Sequence, residues 1–358
     1  MKEKYIWYGA SESSWNTWSV FIEELGIMDD ILFAVDSNEK RHGKVLGKEI
    51  LIYPREKIKE YPDAVILIMS MYKKEILRDL RVAEIDNQVR FLSGFQMPVL
   101  EVFSKEKLVE NRNYINEHRD ELYDLYQVAD TYTRKILDEI IKERSYLNVK
   151  LEDDMELLEF TSDIEKYFYD ESIFTKEKVT FIDCGAFTGD SIKQMVGDYE
   201  EQVVQIYALE PNEKTFHKLE KQVEDLGVEE ICKCINAAVS DKNEIVYFDM
   251  DGISMSSQIL EEGKIGEEVQ CVALDSLELN IIGTCLLKMD VQGSELSALK
   301  GAEKLILQHL PYMAICLYHK MEDIYDIPKY IKSLSSDYEL YIRGGEHLVC
   351  YAVPKMEM

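Results

Sequence analysis

The stretch Val179-Thr180-Phe181-Ile182-Asp183-Cys184-Gly185-Ala186-Phe187-Thr188-Gly189-Asp190-Ser191 constrains this chain more than any other. A β-favouring, mostly apolar run ends at Gly185, a polar glycine-marked turn follows, and an amphipathic segment opens near Ser191. That order reads as a buried parallel strand, a tight loop and a helix N-terminus. A glycine at 185 lets backbone approach a ligand where a Cβ would clash. The helix start behind Gly189 offers free N–H groups and a positive dipole end. A second apolar run, Ile206-Tyr207-Ala208-Leu209, leads into Glu210, twenty-one residues past Gly189. An acid at the tip of a second strand suits the two hydroxyls of a ribose. The spacing D-x-G-x-x-x-G differs from the G-x-G-x-x-G that cradles a pyrophosphate. A nucleoside without phosphates fits better, and S-adenosylmethionine is the commonest such cofactor.

Strand and helix alternate from residue 179 to the end. The pattern predicts strands at 179–184, 204–209, 231–236, 284–290, 312–318, 338–342 and 348–353. It predicts helices at 190–196, 213–225, 295–307 and 328–334, the last opening on Pro328 as its first residue. About five residues, Arg343 to His347, join the last two strands. Such a link is too short for a parallel crossover, so those strands are predicted to pair antiparallel. The expected fold class is α/β, with a seven-stranded, Rossmann-like methyltransferase sheet whose last strand is antiparallel. Between residues 245 and 272, Val246-Tyr247-Phe248 and Val269-Gln270-Cys271-Val272 are predicted to pair. They flank a polar loop with Ser254, Ser256 and Ser257, placed to act as a lid.

Upstream, residues 1–98 read as a smaller N-terminal parallel α/β domain. Strands are expected at 5–8, 31–35, 64–69 and 89–92, with helices at 15–25 and 73–80; the run Gly47 to Ile52 precedes Pro54 and a short helix. Gly9 after the first strand and Asp36 after the second give the order of a nucleotide-binding unit. Ser11 and Ser14 stand where its other glycines would be. A site for a nucleotide or nucleotide-sugar and a docking or homodimerisation domain are the two readings. The missing glycines argue against a dinucleotide-dependent oxidoreductase. Residues 99–178 hold neither glycine nor proline. Apolar and charged residues recur there every three or four positions, which predicts a helical linker. Its tyrosines, Tyr114, Tyr123, Tyr126, Tyr132 and Tyr146, are expected to pack helix on helix. The domains expected are therefore 1–98, 99–178 and 179–358.

The formal net charge is −28 over 358 residues. A surface so acidic repels phosphate backbones, so nucleic acid is not an expected partner. No run of 18 apolar residues marks a membrane span. Met1-Lys2-Glu3-Lys4 leads into a strand without a signal-peptide pattern, so a cytoplasmic location is expected. The seven cysteines all fall from Cys184 onward without a C-x-x-C pair and read as small core residues. Cys232 and Cys234 are taken to face opposite sides of a strand, against a shared metal. Histidines 42, 118, 217, 309 and 347 have no metal-ligand spacing, and no metal is expected.

With these motifs in place, residues 179–354 resemble the FkbM family of methyltransferases. The resemblance rests on Phe181-Ile182-Asp183-Cys184-Gly185-Ala186, Leu209-Glu210-Pro211-Asn212 and Asn236-Ala237-Ala238-Val239-Ser240-Asp241. It continues in Ala273-Leu274-Asp275-Ser276-Leu277, Leu287-Lys288-Met289-Asp290-Val291-Gln292-Gly293-Ser294-Glu295 and Ala314-Ile315-Cys316-Leu317-Tyr318-His319-Lys320. It implies an S-adenosylmethionine-dependent O-methyltransferase acting on a hydroxyl of a sugar, glycan or related small molecule, as in polysaccharide biosynthesis. Two departures stand out: Gln292 replaces the family's usual Glu, and the tip 343–347 is shorter than the usual Arg-His-Tyr type. They motivate a rival reading, a non-catalytic cofactor- or nucleotide-sugar-binding protein that retains the fold.

Each candidate residue has a role and a plainer alternative. Gly185 and Gly189 form the cofactor loop. Asp183 is expected to face the cofactor's sulfonium and ammonium, or to cap the loop. Glu210 is expected to hold the ribose, while Asn236 and Ala237 lie near the adenine. Asn212 is expected to cap a helix. Asp290 is the expected base or acceptor-orienting group, with capping of the Gly293 turn as the alternative. Glu295 complements a helix dipole. Lys288 is expected to pair with Glu295 or Asp275. His319 is the second catalytic candidate, because its ordinary pKa suits proton transfer near neutrality.

Overall fold

The computed structural model describes residues 3–70, 73–92, 105–127, 130–146, 151–152, 178–199, 202–249, 258–259, 267–344 and 348–355. The chain divides into two compact units, residues 1–117 with 139–162, and residues 118–138 with 163–358. The segment expected as a linker contributes α3 (Lys105–Tyr126), α4 (Thr131–Tyr146) and the short β7 (Leu151–Glu152).

The first unit is built on β1 (Tyr5–Tyr8), β2 (Ile31–Val35), β3 (Val45–Leu46), β4 (Ile50–Tyr53), β5 (Val65–Ile68) and β6 (Val89–Leu92). Its sheet runs β3-β4-β2-β1-β5-β6-β7. The five central strands are parallel, and β3 and β7 close the two edges antiparallel. Every residue of β1 and β5 is buried, as continuous apolar runs in a parallel sheet require. Helices α1 (Glu12–Glu24) and α2 (Lys73–Val82) make the crossovers. Ser11 caps α1 by accepting the Ser14 N–H. The run 47–52 falls in a hairpin, β3 and β4, where the chain turns at Gly47 with φ +60.

In the second unit the main strands are β8 (Val179–Cys184), β9 (Val203–Leu209), β10 (Cys232–Ile235), β15 (Thr284–Met289), β16 (Tyr312–Cys316), β17 (Tyr338–Arg343) and β18 (Val349–Pro354). They lie in the order β10-β9-β8-β15-β16-β18-β17. Strand β18 is antiparallel to both its neighbours, as the short final link predicts. Chain order reverses between β8 and β15, which opens a crevice at their carboxyl ends. Helices α5 (Asp190–Tyr199), α6 (Glu213–Leu226), α7 (Glu295–Lys300), α8 (Glu303–His309) and α9 (Asp323–Leu334) cover the sheet. Phe181, Ile192, Ile206, Leu219 and Leu286 belong to one fully desolvated core cluster.

Three details differ from the sequence reading. The helix expected over 295–307 is two helices, because Asp275 accepts the Lys304 and Leu305 N–H groups and starts α8 anew. Helix α9 begins at Asp323, so Pro328 sits inside it. Burial of Ile324, Ile327 and Ile331 along one face outweighs the backbone bond that proline forgoes. Cys232 and Cys234 share a face, since residues two apart on a strand point the same way, and both pack on the same core.

A second sheet holds β11 (Ala238–Val239), β12 (Glu244–Asp249), β13 (Gln258–Ile259) and β14 (Glu267–Val272), in the order β11-β14-β12-β13. Strands β12 and β14 pair antiparallel as the sequence suggests. The expected lid serines and residues 345–347 lie outside the described residues. Among the described residues no helix is long and apolar enough to cross a membrane.

Candidate active site

Register places the first polar pair. Asp183 on β8 lies opposite Lys288 on β15. Lys288 Nζ donates to Asp183 Oδ1 at 2.8 Å and to the Gly185 carbonyl at 2.8 Å. Ser191 Oγ donates to the other carboxylate oxygen of Asp183. Asp183 is fully buried and Lys288 nearly so. Burial pushes the Lys288 ammonium down, but the adjacent Asp183 outweighs it and keeps lysine charged far above neutrality. Asp183 is thus engaged inside the sheet and does not stand at its tip facing a ligand. Lys288 pairs with Asp183, not with Glu295 or Asp275.

Gly185 has φ +79, and a Cβ built there would lie 1.9 Å from the Asp290 carbonyl oxygen. The glycine lets the tips of β8 and β15 touch, an intramolecular close approach where the sequence suggested a ligand. Gly189, φ +87, would meet Leu219 and Gln222 of α6 in the same way, at 3.2 and 3.1 Å. Both glycines shape the loop that presents Phe187, which has φ +48 and is 40% exposed.

Glu210 ends β9, 7% exposed. Its Oε2 accepts the Phe187 N–H at 3.0 Å and its Oε1 the Asn212 N–H at 2.9 Å. Burial raises its pKa to about 7, against the lowering effect of those two bonds. No cation pairs with it among the described residues. Each oxygen holds one donor and keeps a second acceptor position, a capacity that a ribose diol would fill. Asn212 caps α6 by accepting the Thr215 N–H at 3.0 Å. Asn236 donates to the Glu210 and Pro211 carbonyls at 2.9 and 3.2 Å, tying the tip of β10 to that of β9. Ala237, next to it, is 2% exposed.

The turn after Asp290, at the tip of β15, is capped by Glu295: its Oε1 accepts the Val291 N–H at 2.8 Å and its Oε2 the Gly293 N–H at 3.0 Å. These bonds hold Gln292 in the left-handed region, φ +56. Lys320 Nζ donates to the Gly293 carbonyl from the far side. Asp290 is left to accept from Tyr318 Oη at 2.9 Å. Sequence alone assigns Tyr318 no role, because its contact with Asp290 depends on how β15 and β16 align.

His319 packs between two carboxylates. Its Nδ1 lies 3.0 Å from Glu295 Oε1 and its Nε2 3.5 Å from Asp290 Oδ1. Neither nitrogen is aligned for a hydrogen bond, so the contacts are electrostatic. Burial opposes the imidazolium, but Glu295 and then Asp290 outweigh it and hold the pKa above 6.5. Asp323 completes the cluster, its pKa pushed up to about 8 by burial and by Glu295. Ligand atoms of Asp290, Glu295 and His319 fall within 4.8 Å of one another, a set able to hold a cation. A protonated His319 supplies positive charge in the same place. Of the two catalytic candidates Asp290 is the more exposed, its side chain 17% accessible against 4% for His319.

Residues 183–339 match the model of the methyltransferase FkbM domain. Methyltransferase FkbM from Methylobacillus flagellatus KT is similar over 98% of this chain and 90% of its own, at 19% identity and TM-score 0.63. A SAM-dependent methyltransferase from Aquifex aeolicus covers 56% of this chain and 92% of its own, at 16% identity and TM-score 0.33. A Streptococcus mutans protein in complex with SAH covers 49% and 90%, at 12% identity and TM-score 0.32. No curated protein matches the chain.

Proposed function

The chain carries a methyltransferase FkbM domain over residues 183–339, and from that premise we propose that it is an S-adenosylmethionine-dependent O-methyltransferase. Its acceptor is a hydroxyl of a sugar, glycan or related small molecule, as polysaccharide biosynthesis would supply. Glu210 carries the reading. It is a buried carboxylate at a strand tip, bonded once at each oxygen to backbone N–H groups, with acceptor capacity left for a ribose diol.

S-adenosylmethionine, when bound, supplies an electrophilic methyl group. The protein's own part is to orient the acceptor and move its proton. Asp290 is the acceptor-facing group, since His319 is almost wholly buried behind it. Tyr318 Oη fixes the Asp290 carboxylate by donating to Oδ1. The acceptor hydroxyl donates to this carboxylate. His319, held between Asp290 and Glu295, balances their charge and shifts it as the proton arrives. Seven free cysteines suit a reducing compartment, which supports a cytoplasmic location.

The test is transfer of labelled methyl from S-adenosylmethionine into a pool of sugars and glycans. Asp290→Asn should lower the rate about 10²- to 10⁴-fold, the span of general acid–base catalysis. Transfer unaffected by Asp290→Asn would remove that residue from the chemistry. No transfer into any hydroxyl-bearing pool would favour the non-catalytic rival.

A further inference from the structure

The first unit holds a cavity of its own, about 680 Å³ in volume. It opens at the carboxyl ends of β1, β2 and β5, where Gly9, Asp36 and Met69 line it. Strand β1 has β2 on one side and β5 on the other, so chain order reverses here. Such a switch point is where an open parallel sheet forms a crevice, and the volume is that of a small-ligand site. We propose that this cavity binds a nucleoside diphosphate, at a site separate from that of the methyl donor.

The phosphate end is defined by Asp36 and the groups it holds. Asp36 Oδ2 accepts the Ala10 N–H at 2.8 Å and Arg41 Nη1 at 2.9 Å, and Oδ1 accepts the Asn38 N–H at 2.8 Å. With three donors on it, this carboxylate fixes the loops after β1 and β2 and, unlike Glu210, holds a cation. Its effect is to pin the Arg41 guanidinium at the cavity wall. A guanidinium has five N–H donors in a planar fork that matches phosphate oxygens, and Arg41 reaches Asp36 through Nη1. Arg78 of α2 lines the same cavity. Its neighbour Asp79 is bound by Arg55 and by Tyr8 Oη. Asp79 and Glu75 line the cavity as well; with Asp79 held by Arg55 and Tyr8, and Asp36 by its three donors, Arg41 and Arg78 are the cationic side chains of the lining that can meet an anion.

The wall beyond the arginines is apolar. Trp18 and Ile76 are buried, and Val82 remains 75% exposed beside them. This is the surface on which a base can lie. Ser11 and Ser14 replace the close-packed glycines of a dinucleotide loop; Ser14 is taken up by the Met69 carbonyl at 2.7 Å, and Ser13 also lines the cavity. Hydroxyls, and the N-terminal N–H groups of α1, therefore meet the phosphates in place of bare backbone. A single nucleoside diphosphate matches this arrangement better than a dinucleotide.

The experiment is calorimetric titration of the full chain with uridine 5′-diphosphate, adenosine 5′-diphosphate and inorganic pyrophosphate, each with S-adenosylhomocysteine in excess. The proposal expects saturable binding of at least one nucleotide, tighter than pyrophosphate. Arg78→Ala should weaken it about tenfold, the loss of one charge-assisted phosphate contact, and Arg41→Ala by at least as much. Because Arg41→Ala also strips Asp36 of a partner, the exposed Arg78 is the variant that spares the fold. Glu210→Ala should leave nucleotide binding unchanged, which separates this site from the methyl-donor reading. Absence of saturation by either nucleotide, equal binding of pyrophosphate, or wild-type affinity in both arginine variants would overturn the proposal.

Discussion

Lys288 Nζ lies 2.8 Å from Asp183 Oδ1, with both side chains buried in the middle of the second unit's sheet. A charge pair this deep is worth little against an apolar pair of equal volume, but breaking it from one side is costly. Lys288→Met is predicted to destabilise the second unit by about 3–5 kcal/mol, because it strands the Asp183 carboxylate. The double change Asp183→Leu with Lys288→Met should recover much of that loss. Urea unfolding of the single and double variants is the check. A double variant no more stable than the single one would contradict the account.

Gln292 is a left-handed residue at a functional turn, φ +56, followed by Gly293 at φ +91. A side chain in that conformation costs about 1–2 kcal/mol relative to glycine. Gln292→Gly is predicted to raise stability by about 1 kcal/mol, less the entropy that a new glycine loses on folding. Thermal unfolding measures it. If Gln292→Gly is destabilising instead, the side chain makes a contact worth more than the strain.

The pH dependence of cofactor binding follows from Glu210. Its folded pKa is raised by burial from 4.5 to about 7. Donors on a ribose favour the carboxylate form. Affinity should therefore be full above about pH 7 and fall below it, by up to tenfold per pH unit. In the free protein the sign reverses. Between 4.5 and about 7 the folded state holds a proton that the unfolded chain has lost, so stability declines as pH rises through that window. Asp323, raised to about 8, acts in the same direction. Comparison of wild type with Glu210→Gln isolates the Glu210 share. Identical pH profiles for the two would show that Glu210 does not titrate there.

Much of this was legible in the residues. The run 179–184 is apolar and buried at every position, so its limits as a strand could be read directly. Glu210 is placed by its own strand, and Asn212 by the helix that it caps. What was not legible depends on contacts between distant segments. Asp183 looks like a ligand group in its own motif; only the alignment of β8 with β15 shows the lysine 105 residues away that takes it up. Asp290 and Glu295 are both acids near one turn, and sequence does not say which caps it. Proline's local preference points to a helix start at Pro328, but burial of three isoleucines carries α9 back to Asp323.

The central claim is that Glu210 holds the ribose of a methyl donor. Its most direct test is calorimetric titration of wild type and Glu210→Ala with S-adenosylhomocysteine. The account predicts saturable binding by wild type and at least tenfold weaker binding by the variant, the loss of hydrogen bonds to a charged group. Wild type that fails to bind, or a variant that binds equally well, would contradict it.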